Sequence, residues 1–549
     1  MAQPVSSVLD AKFFEERDRH LSVIQSFRAL WPSRPTFLVA GSRCAALMLM
    51  MLGALPAAAQ QKPALSVSGD RSSWPIETLE AEAGPRRFVT HHRGTFGGEV
   101  VDYDATVGET IVKDRNGRPA ASLFTIDYVR TRLATSTGRP VLFIYNGGPG
   151  GGSSYLQLGA FGPRKMARFN AEAQADPSTP LVDNPDTILD VADLVFIDPP
   201  ETGYSRLLPG IDPQTFRNSD ADSAACVQLI RRWLEDHGRT GSPVYLVGES
   251  FGTHRNIHVG RDLARLKSQV RLAGMVMVSG PVPASTGPDP EPLDAVSRVI
   301  DVAAWSWYYG LIDNRTQSLA QAVDKARAFA LGPYVHALLL GNRLPDVEKD
   351  EIARKLATLT GLSADYYSKN DLVIKAPATD LLKSEGKMLT LFDIRYTEAA
   401  ATAPSDEERD WDAMMRGVDK NMARVAAETL KVKGLGDYHS IAPGAIKWNW
   451  TFIPNAARLA SLSRQMREDP KLRILVGVGL YDRAASMGAD ENAFARMGHK
   501  GQSTLTYYAA GHMLYSDAPG QKAFLRDVRA FVQGQPVPGG AIPVTEPKR

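Results

Sequence analysis

The chain has 549 residues, 44% hydrophobic and 23% charged, with 63 basic and 61 acidic side chains. That composition is globular and long enough for a large core plus an accessory domain. A net charge of +2 gives no case for a nucleic-acid partner, and no repeat appears at solenoid or propeller periods.

The first 59 residues read as a leader rather than as part of a fold. Ala45–Leu55 is an apolar run of signal-peptide length, too short to span a bilayer comfortably. Arg34 and Arg43 precede it, and Ala57-Ala58-Ala59 offers a small-residue cleavage site before Gln60. Residues before about 33 are unusually long for the charged region of a signal peptide, as a start site placed too far upstream would make them. Nothing later in the chain has the length and apolarity of a transmembrane helix. Removal of the leader would leave a nearly neutral chain with Cys226 as its single cysteine. Such a chain has no internal disulfide, so its stability must come from a large core. Cys226 lies in a helical pattern from Asp220 to Glu235 and reads as a small buried hydrophobe.

Residues 60–84 are polar and read as a linker. From 85 to 135 short alternating runs such as Ala121–Tyr128 predict antiparallel strands, with a turn at Arg115–Arg118. Compact apolar runs then alternate with helical segments: Val141–Tyr145, Asp193–Asp198, Val244–Val247, Leu272–Val278, Arg473–Leu480 and Thr504–Ala509. Runs this apolar predict a mostly parallel sheet covered on both faces, hence an α/β class. The alternation stops between 284 and 444, where helical patterns such as Asp346–Thr360 and Asp406–Lys431 dominate. The expected organisation is therefore a leader (1–59), a linker (60–84), core (85–283), a helical cap insertion (284–444), core again (445–535) and a tail (536–549). A cap placed there would shape a pocket at the C-terminal ends of the strands.

Gly248-Glu249-Ser250-Phe251-Gly252 fits G-x-S-x-G and follows the apolar run Pro243–Val247. A strand feeding a tight, glycine-flanked turn into a helix lifts one serine hydroxyl above a sheet, which makes Ser250 a candidate nucleophile. Alone the pattern is weak, and the bland alternative is a glycine-rich turn with an idle serine. Context strengthens it. Asn146-Gly147-Gly148-Pro149-Gly150 directly follows the strand Val141–Tyr145, where glycines expose backbone N–H groups. One oxyanion donor would come from that loop, at Gly148, and the other from Phe251 N–H. Asp482 ends the run Arg473–Tyr481, and His512 lies just beyond Thr504–Ala510. The order Ser, Asp, His suits a triad in which His512 takes the Ser250 proton and Asp482 fixes the imidazole.

Rivals exist. Asp490 is the fallback acid. His499 precedes the last strand, and His254 is one turn beyond Ser250. His254 and His258 are spaced i,i+4 and could share a metal, although no acidic third ligand is evident nearby.

Together these blocks resemble the serine carboxypeptidase family. Asn146–Gly150 is similar to its N-G-G-P-G, Gly248–Gly252 to its G-E-S-Y-G with Phe251 for tyrosine, and Gly511–Met513 to its G-H-M. Asp193–Ser205 resembles a fourth family block, with Pro199 in place of glutamine. Gly159–Arg164 and Leu359–Leu372 are most similar to bacterial members. The resemblance covers most of residues 90–535. It implies an α/β-hydrolase fold, no metal or other cofactor, and release of C-terminal residues from peptides. It also implies that Ser250, Asp482 and His512 form the triad, that Gly148 and Phe251 form the oxyanion hole, and that Asn146, Gly147 and Glu249 bind the substrate's terminal carboxylate.

Two departures stand out. The cysteine that follows N-G-G-P-G in eukaryotic members is Gly151 here. The family's second carboxylate-site glutamate aligns, without gaps, on Ala160. A lone ionised Glu249 would repel a carboxylate. Either a cation such as Arg164 or Arg255 assists, or Glu249 is protonated, or the substrate does not end in a carboxylate. The alternatives to a carboxypeptidase are therefore an esterase or acyltransferase with the same triad, and an inactive binding protein.

Overall fold

Apolar residues on successive strands alternate between two buried faces, and that alternation organises the whole molecule. In β4 (Val141–Tyr145), Val141, Phe143 and Tyr145 join one core cluster, while Leu142 and Ile144 join the other. Side chains on a strand point to opposite faces in turn, so a strand that is apolar at every position must be covered on both sides. The computed structural model describes residues 85–132, 138–169, 179–265, 270–284, 289–404, 411–442, 447–449, 455–497, 500–540 and 542. The leader, the linker and His499 lie outside the described residues.

The strands in chain order are β1 (Arg87–Phe96), β2 (Glu99–Lys113), β3 (Pro119–Arg130), β4, β5 (Arg164–Met166), β6 (Leu181–Asp183), β7 (Asp193–Asp198), β8 (Arg206–Leu207), β9 (Pro243–Glu249), β10 (Arg271–Val278), β11 (Lys387–Leu389), β12 (Thr397–Ala399), β13 (Arg473–Gly479) and β14 (Ser503–Tyr508). The main sheet runs β1-β2-β3-β7-β4-β9-β10-β13-β14, with β8 paired to β3. From β1 to β7 neighbours are antiparallel, and from β7 to β14 they are parallel. The order reverses around β4, since the chain leaves β3, skips a place to make β4, and returns to fill the gap with β7. Connections between parallel strands must cross a face, which is why helices Ser219–Asp236 and Phe251–Arg265 lie between them. This is the strand order and helix placement of an α/β hydrolase. Among the described residues no helix is long and apolar enough to cross a membrane.

The Ser219–Asp236 helix starts on an Asn218 cap, whose side chain accepts Ala221 N–H, and buries Cys226 and Trp233 against the sheet. Trp233 meets Phe143 edge-on with centroids 5.6 Å apart, and its Nε1–H donates to the buried Asp127 at 2.7 Å. The 284–444 stretch holds helices Pro292–Tyr308, Leu319–Phe329, Asp346–Thr360 and Trp411–Arg424, together with the small β11–β12 pair. The Pro292–Tyr308 helix is buried along nearly its whole length, so this insertion shares the core cluster of the sheet rather than sitting apart from it.

At the N-terminal ends of β4 and β7, Asp193 is fully buried. It accepts Arg139 Nε at 2.8 Å and Arg130 N–H at 3.0 Å, and it forms a short contact with Arg239 Nη1. Arg239 also donates to Arg139 O at 2.7 Å, so three segments are tied to one carboxylate. Removing one partner of such a buried pair leaves a charge without solvent or counter-ion. Asp193→Ala is expected to lower unfolding free energy by about 3 kcal/mol, read as a lower urea midpoint, whereas Arg93→Ala on the exposed Asp102 pair leaves the midpoint nearly unchanged.

Candidate active site

β9 ends at Glu249, and a helix begins at Phe251, so Ser250 must turn the chain within one residue. It does so with φ +57°, the left-handed region that a non-glycine residue adopts at some cost. Ser250 N–H donates to Val278 O at 2.9 Å, and Ser250 O accepts from Thr253 N at 2.9 Å and Thr253 Oγ1 at 2.7 Å. Gly248 is required here, because a Cβ on it would lie 2.1 Å from Gly252 O. The loop after β4 presses equally hard from the other side. A Cβ on Gly147 would lie 2.6 Å from both Glu249 O and Phe251 N and 2.8 Å from Ser250 Cβ. Gly148 follows at φ +105° and joins Pro149 through a cis peptide bond.

His512 lies in the loop after β14, and Asp482 in the loop after β13. His512 Nδ1 and Asp482 Oδ2 are 2.8 Å apart, and both side chains are nearly sealed, at 4% and 3% exposure. A carboxylate at Nδ1 places a proton there and leaves the Nε2 lone pair outward. Nε2 has no hydrogen-bond partner among the described residues. It is not bonded to Ser250 Oγ, yet both residues line one cavity of about 350 Å³. Catalytic hydrogen bonds in unliganded sites are often long and tighten with substrate. Asp482 Oδ1 accepts Ala484 N at 2.7 Å and Ala485 N at 3.0 Å, which fixes the orientation of the carboxylate. Burial opposes charge on His512, but Asp482, through charge and hydrogen bond, and then Glu249 outweigh it and raise its pKa.

Glu249 is 4% exposed, accepts Asn146 Nδ2 at 2.9 Å through Oε1, and leaves Oε2 without a partner. Asn146 Oδ1 in turn accepts Leu156 N–H at 3.1 Å. Burial pushes Glu249 up to about 7, against the opposing pull of His512, of Tyr515 and of the Asn146 hydrogen bond. The Tyr515 hydroxyl is near enough to bias this ionisation without meeting hydrogen-bond geometry. Ala160, at the aligned second-glutamate position, is fully buried in the Gln157–Phe161 turn, and its carbonyl accepts Asn184 Nδ2 at 2.7 Å. Of the three escapes from charge repulsion, the two cations do not serve. Arg255 is buried, pairs with Asp222 at 2.6 and 3.1 Å, donates to Asn146 O at 2.7 Å and lies over the rings of Tyr145 and Phe251. Arg164 pairs with Asp183 at 3.3 Å. A carboxyl that stays partly protonated near neutrality is the escape that the site itself supplies.

The other rivals lie elsewhere. Asp490 is buried behind the site with Oδ1 on Val282 N–H at 3.2 Å, and burial, together with Asp301 and Asp482, holds it well above the carboxylate range. His254 Nε2 faces Pro281 O at 3.2 Å, while His258 Nδ1 faces Asp220 at 3.1 Å. Among the described residues no group of three or more His, Cys, Asp or Glu is arranged to hold a metal ion.

Several supporting residues escape a motif reading. Buried Asp198, at the end of β7, accepts Ser153 N and Oγ at 2.9 Å and Tyr438 Oη at 2.8 Å, fixing the chain just past Gly150. Segment 438–442, from the far end of the insertion, pairs Gly203 with His439 and Gly151 with Ile441. Phe392, also from the insertion, accepts His512 N–H at 2.6 Å and stacks on the imidazole at 5.2 Å. Asp198 lies in a recognisable block, but Phe392 and Tyr438 have no local signal.

Residues 123–283 match the serine carboxypeptidase family, a span that contains the 146–150 and 248–252 blocks but neither Asp482 nor His512. No curated protein matches the chain. Among solved structures, Kex1(Δ)p, a prohormone-processing carboxypeptidase from Saccharomyces cerevisiae, is similar at 13% identity with a TM-score of 0.49, over 79% of this chain and 91% of that one. Carboxylesterase CesB from Bacillus subtilis is similar at 10% identity with a TM-score of 0.33, over 78% and 93%. A monoglyceride lipase variant from Saccharomyces cerevisiae is similar at 10% with a TM-score of 0.34, over 77% and 96%.

Asp482→Asn removes the charge that raises His512 while keeping its shape. The imidazole titration, followed by NMR on the folded variant, is expected to move to lower pH.

Proposed function

We propose that this chain is a serine carboxypeptidase-like hydrolase with Ser250, His512 and Asp482 as its catalytic triad, a reading supported by the match of residues 123–283 to the serine carboxypeptidase family. The observation that carries this reading is that His512, with Nδ1 locked on Asp482 and Nε2 without a partner among the described residues, lines the same cavity as Ser250.

In the proposed reaction Ser250 Oγ attacks the carbonyl carbon of the last peptide bond while Nε2 takes its proton. The oxyanion is met by Gly148 and Phe251 N–H groups. His512 then passes the proton to the leaving amine, the C–N bond breaks, and an acyl-enzyme remains on Ser250. Water, activated by the same imidazole, breaks the ester and restores the serine. Asn146, Gly147 and Glu249 bind the terminal carboxylate. Protonated Glu249 can donate to that carboxylate, whereas ionised Glu249 repels it.

Export to the periplasm or the medium is supported by the apolar run Ala45–Leu55 and by Ala57–Ala59. Gly151 in place of the family cysteine, with Gly159–Arg164 and Leu359–Leu372, supports a bacterial-type member.

Ser250→Ala is expected to abolish both turnover and fluorophosphonate labelling while leaving the thermal unfolding curve intact; retained turnover would remove Ser250 from the reaction. Blocked dipeptides with a free C-terminus should be hydrolysed faster than their C-terminal amides or simple esters. The reverse order would favour an esterase or acyltransferase, the reading to which Ala160 points. For dipeptides, KM is expected to rise as pH climbs through about 7, because Glu249 loses its proton there. Glu249→Gln should flatten that rise while the KM for uncharged esters stays level in both proteins.

A further inference from the structure

The antiparallel strands β11 and β12 belong to the helical insertion, and residues 390–396 form the tip that joins them. The tip is closed on itself. Thr390 N–H donates to Tyr396 O at 3.2 Å, and Thr390 Oγ1 donates to Asp393 O at 2.7 Å. Arg395 stiffens it further. Its Nε and Nη2 donate to the buried Asp393 carboxylate at 2.9 and 2.6 Å. Its Nη1 reaches out of the tip to Ala509 O and to Asp517 Oδ2, both at 3.3 Å.

This one tip touches both loops that carry the proposed acid and base. Ile394 N–H donates to Tyr481 O at 2.9 Å, and Arg483 Nε donates to Thr390 O at 3.1 Å, so the residues on either side of Asp482 are tied to it. On the other loop, His512 N–H donates to Phe392 O at 2.6 Å. Gly511 makes that approach possible. A Cβ on it would lie 2.3 Å from Phe392 O and 2.6 Å from Asp393 Cβ.

The Phe392 side chain adds a constraint that Asp482 cannot supply. The contact between His512 Nδ1 and Asp482 Oδ2 fixes one atom of the imidazole, and a ring held at one atom can still pivot about that bond and swing Nε2 aside. A general base has to be kept within about 0.5 Å and 10–20° of its productive geometry. The Phe392 ring lies against the imidazole, with centroids 5.2 Å apart and planes 28° from parallel, so it blocks the pivot on that face. Its own backbone holds the His512 N–H, which keeps the two rings together. Phe392 is not among the described residues that line the Ser250 cavity, so its route to the reaction runs through His512.

We propose that Phe392, carried on the β11–β12 tip, is a positioning residue that fixes the plane of the His512 imidazole and so aims Nε2 at Ser250. This rests on the reading of Ser250 as nucleophile and His512 as base. It is independent of whether the substrate is a peptide or an ester.

The test follows fluorophosphonate labelling of Ser250 in the full chain, read as a maximal rate and a half-saturating probe concentration. Phe392→Leu keeps apolar bulk but loses the flat face; its maximal rate is expected to fall about 10-fold, with the half-saturating concentration unchanged. Phe392→Tyr keeps the face and should label at close to the wild-type rate. In NMR spectra the Phe392 ring current should displace the imidazole carbon-bound protons of the wild type, and Phe392→Leu should remove that displacement. Thermal unfolding curves check that each variant is folded, and Phe392→Met, with the same expectations, replaces Phe392→Leu if the latter does not fold. Wild-type labelling in Phe392→Leu, or equally slow labelling in Phe392→Tyr, would overturn the proposal while leaving the triad standing. A change confined to the half-saturating concentration would also overturn it, by placing Phe392 against the probe instead of the base. Identical imidazole shifts in wild type and Phe392→Leu would do the same. Failure of the wild type to label at Ser250 is a separate result, which removes the triad reading and this proposal with it.

Discussion

The backbone of Gly147 lies so close to the turn at Glu249–Phe251 that no side chain fits between them, and most of the candidate site follows from this approach. The contact brings the loop after β4 onto the elbow after β9, two strands that are neighbours in the sheet. Once the two are pressed together, Asn146 Nδ2 meets Glu249 Oε1 at 2.9 Å. The strain at Ser250 is tolerated because parallel β10 supplies Val278 O to its N–H on the far side. A turn that is unfavourable by itself is thus held by three adjacent strands.

Electrostatics around this turn are graded by burial and by the partners that burial permits. Asp482 receives two backbone N–H groups and an imidazole, which hold its carboxylate against His512. Glu249 receives one amide and an unpaired tyrosine at its margin, and burial raises it to about 7. Asp490 and Asp301 are also buried, and burial raises Asp301 to about 7 and Asp490 well beyond the usual range. Carboxylates within one region of the fold therefore differ in protonation near neutral pH.

The sequence patterns carried much of the architecture because strands buried on both faces announce themselves as unbroken apolar runs. The runs Val141–Tyr145 and Arg473–Leu480 fall on β4 and on β13, which ends one residue earlier at Gly479, for that reason. The helical pattern at Asp346–Thr360 coincides with the observed helix, whereas that at Asp406–Lys431 begins, among the described residues, at Trp411. Two cations considered as helpers for Glu249 could not be judged from the chain alone. Arg255 is four residues beyond Phe251, which puts it on the inner face of a helix, but its commitment to Asp222 depends on how two helices pack.

What the sequence determined by itself was local: the glycine-flanked serine, the glycine loop after a strand, and an aspartate and a histidine after late strands. Each of these is written in a few consecutive residues, since a tight turn or a strand end has stringent steric demands on its own segment. Only the tertiary structure decided the state of those groups. The insertion supplies Phe392 to His512 and Tyr438 to Asp198, across separations that no local pattern can encode. Burial, which depends on every element packed around a side chain, raised Glu249 and left His254 neutral. Ionisation and reach are properties of the assembled dielectric, and they come into being only when the chain has folded.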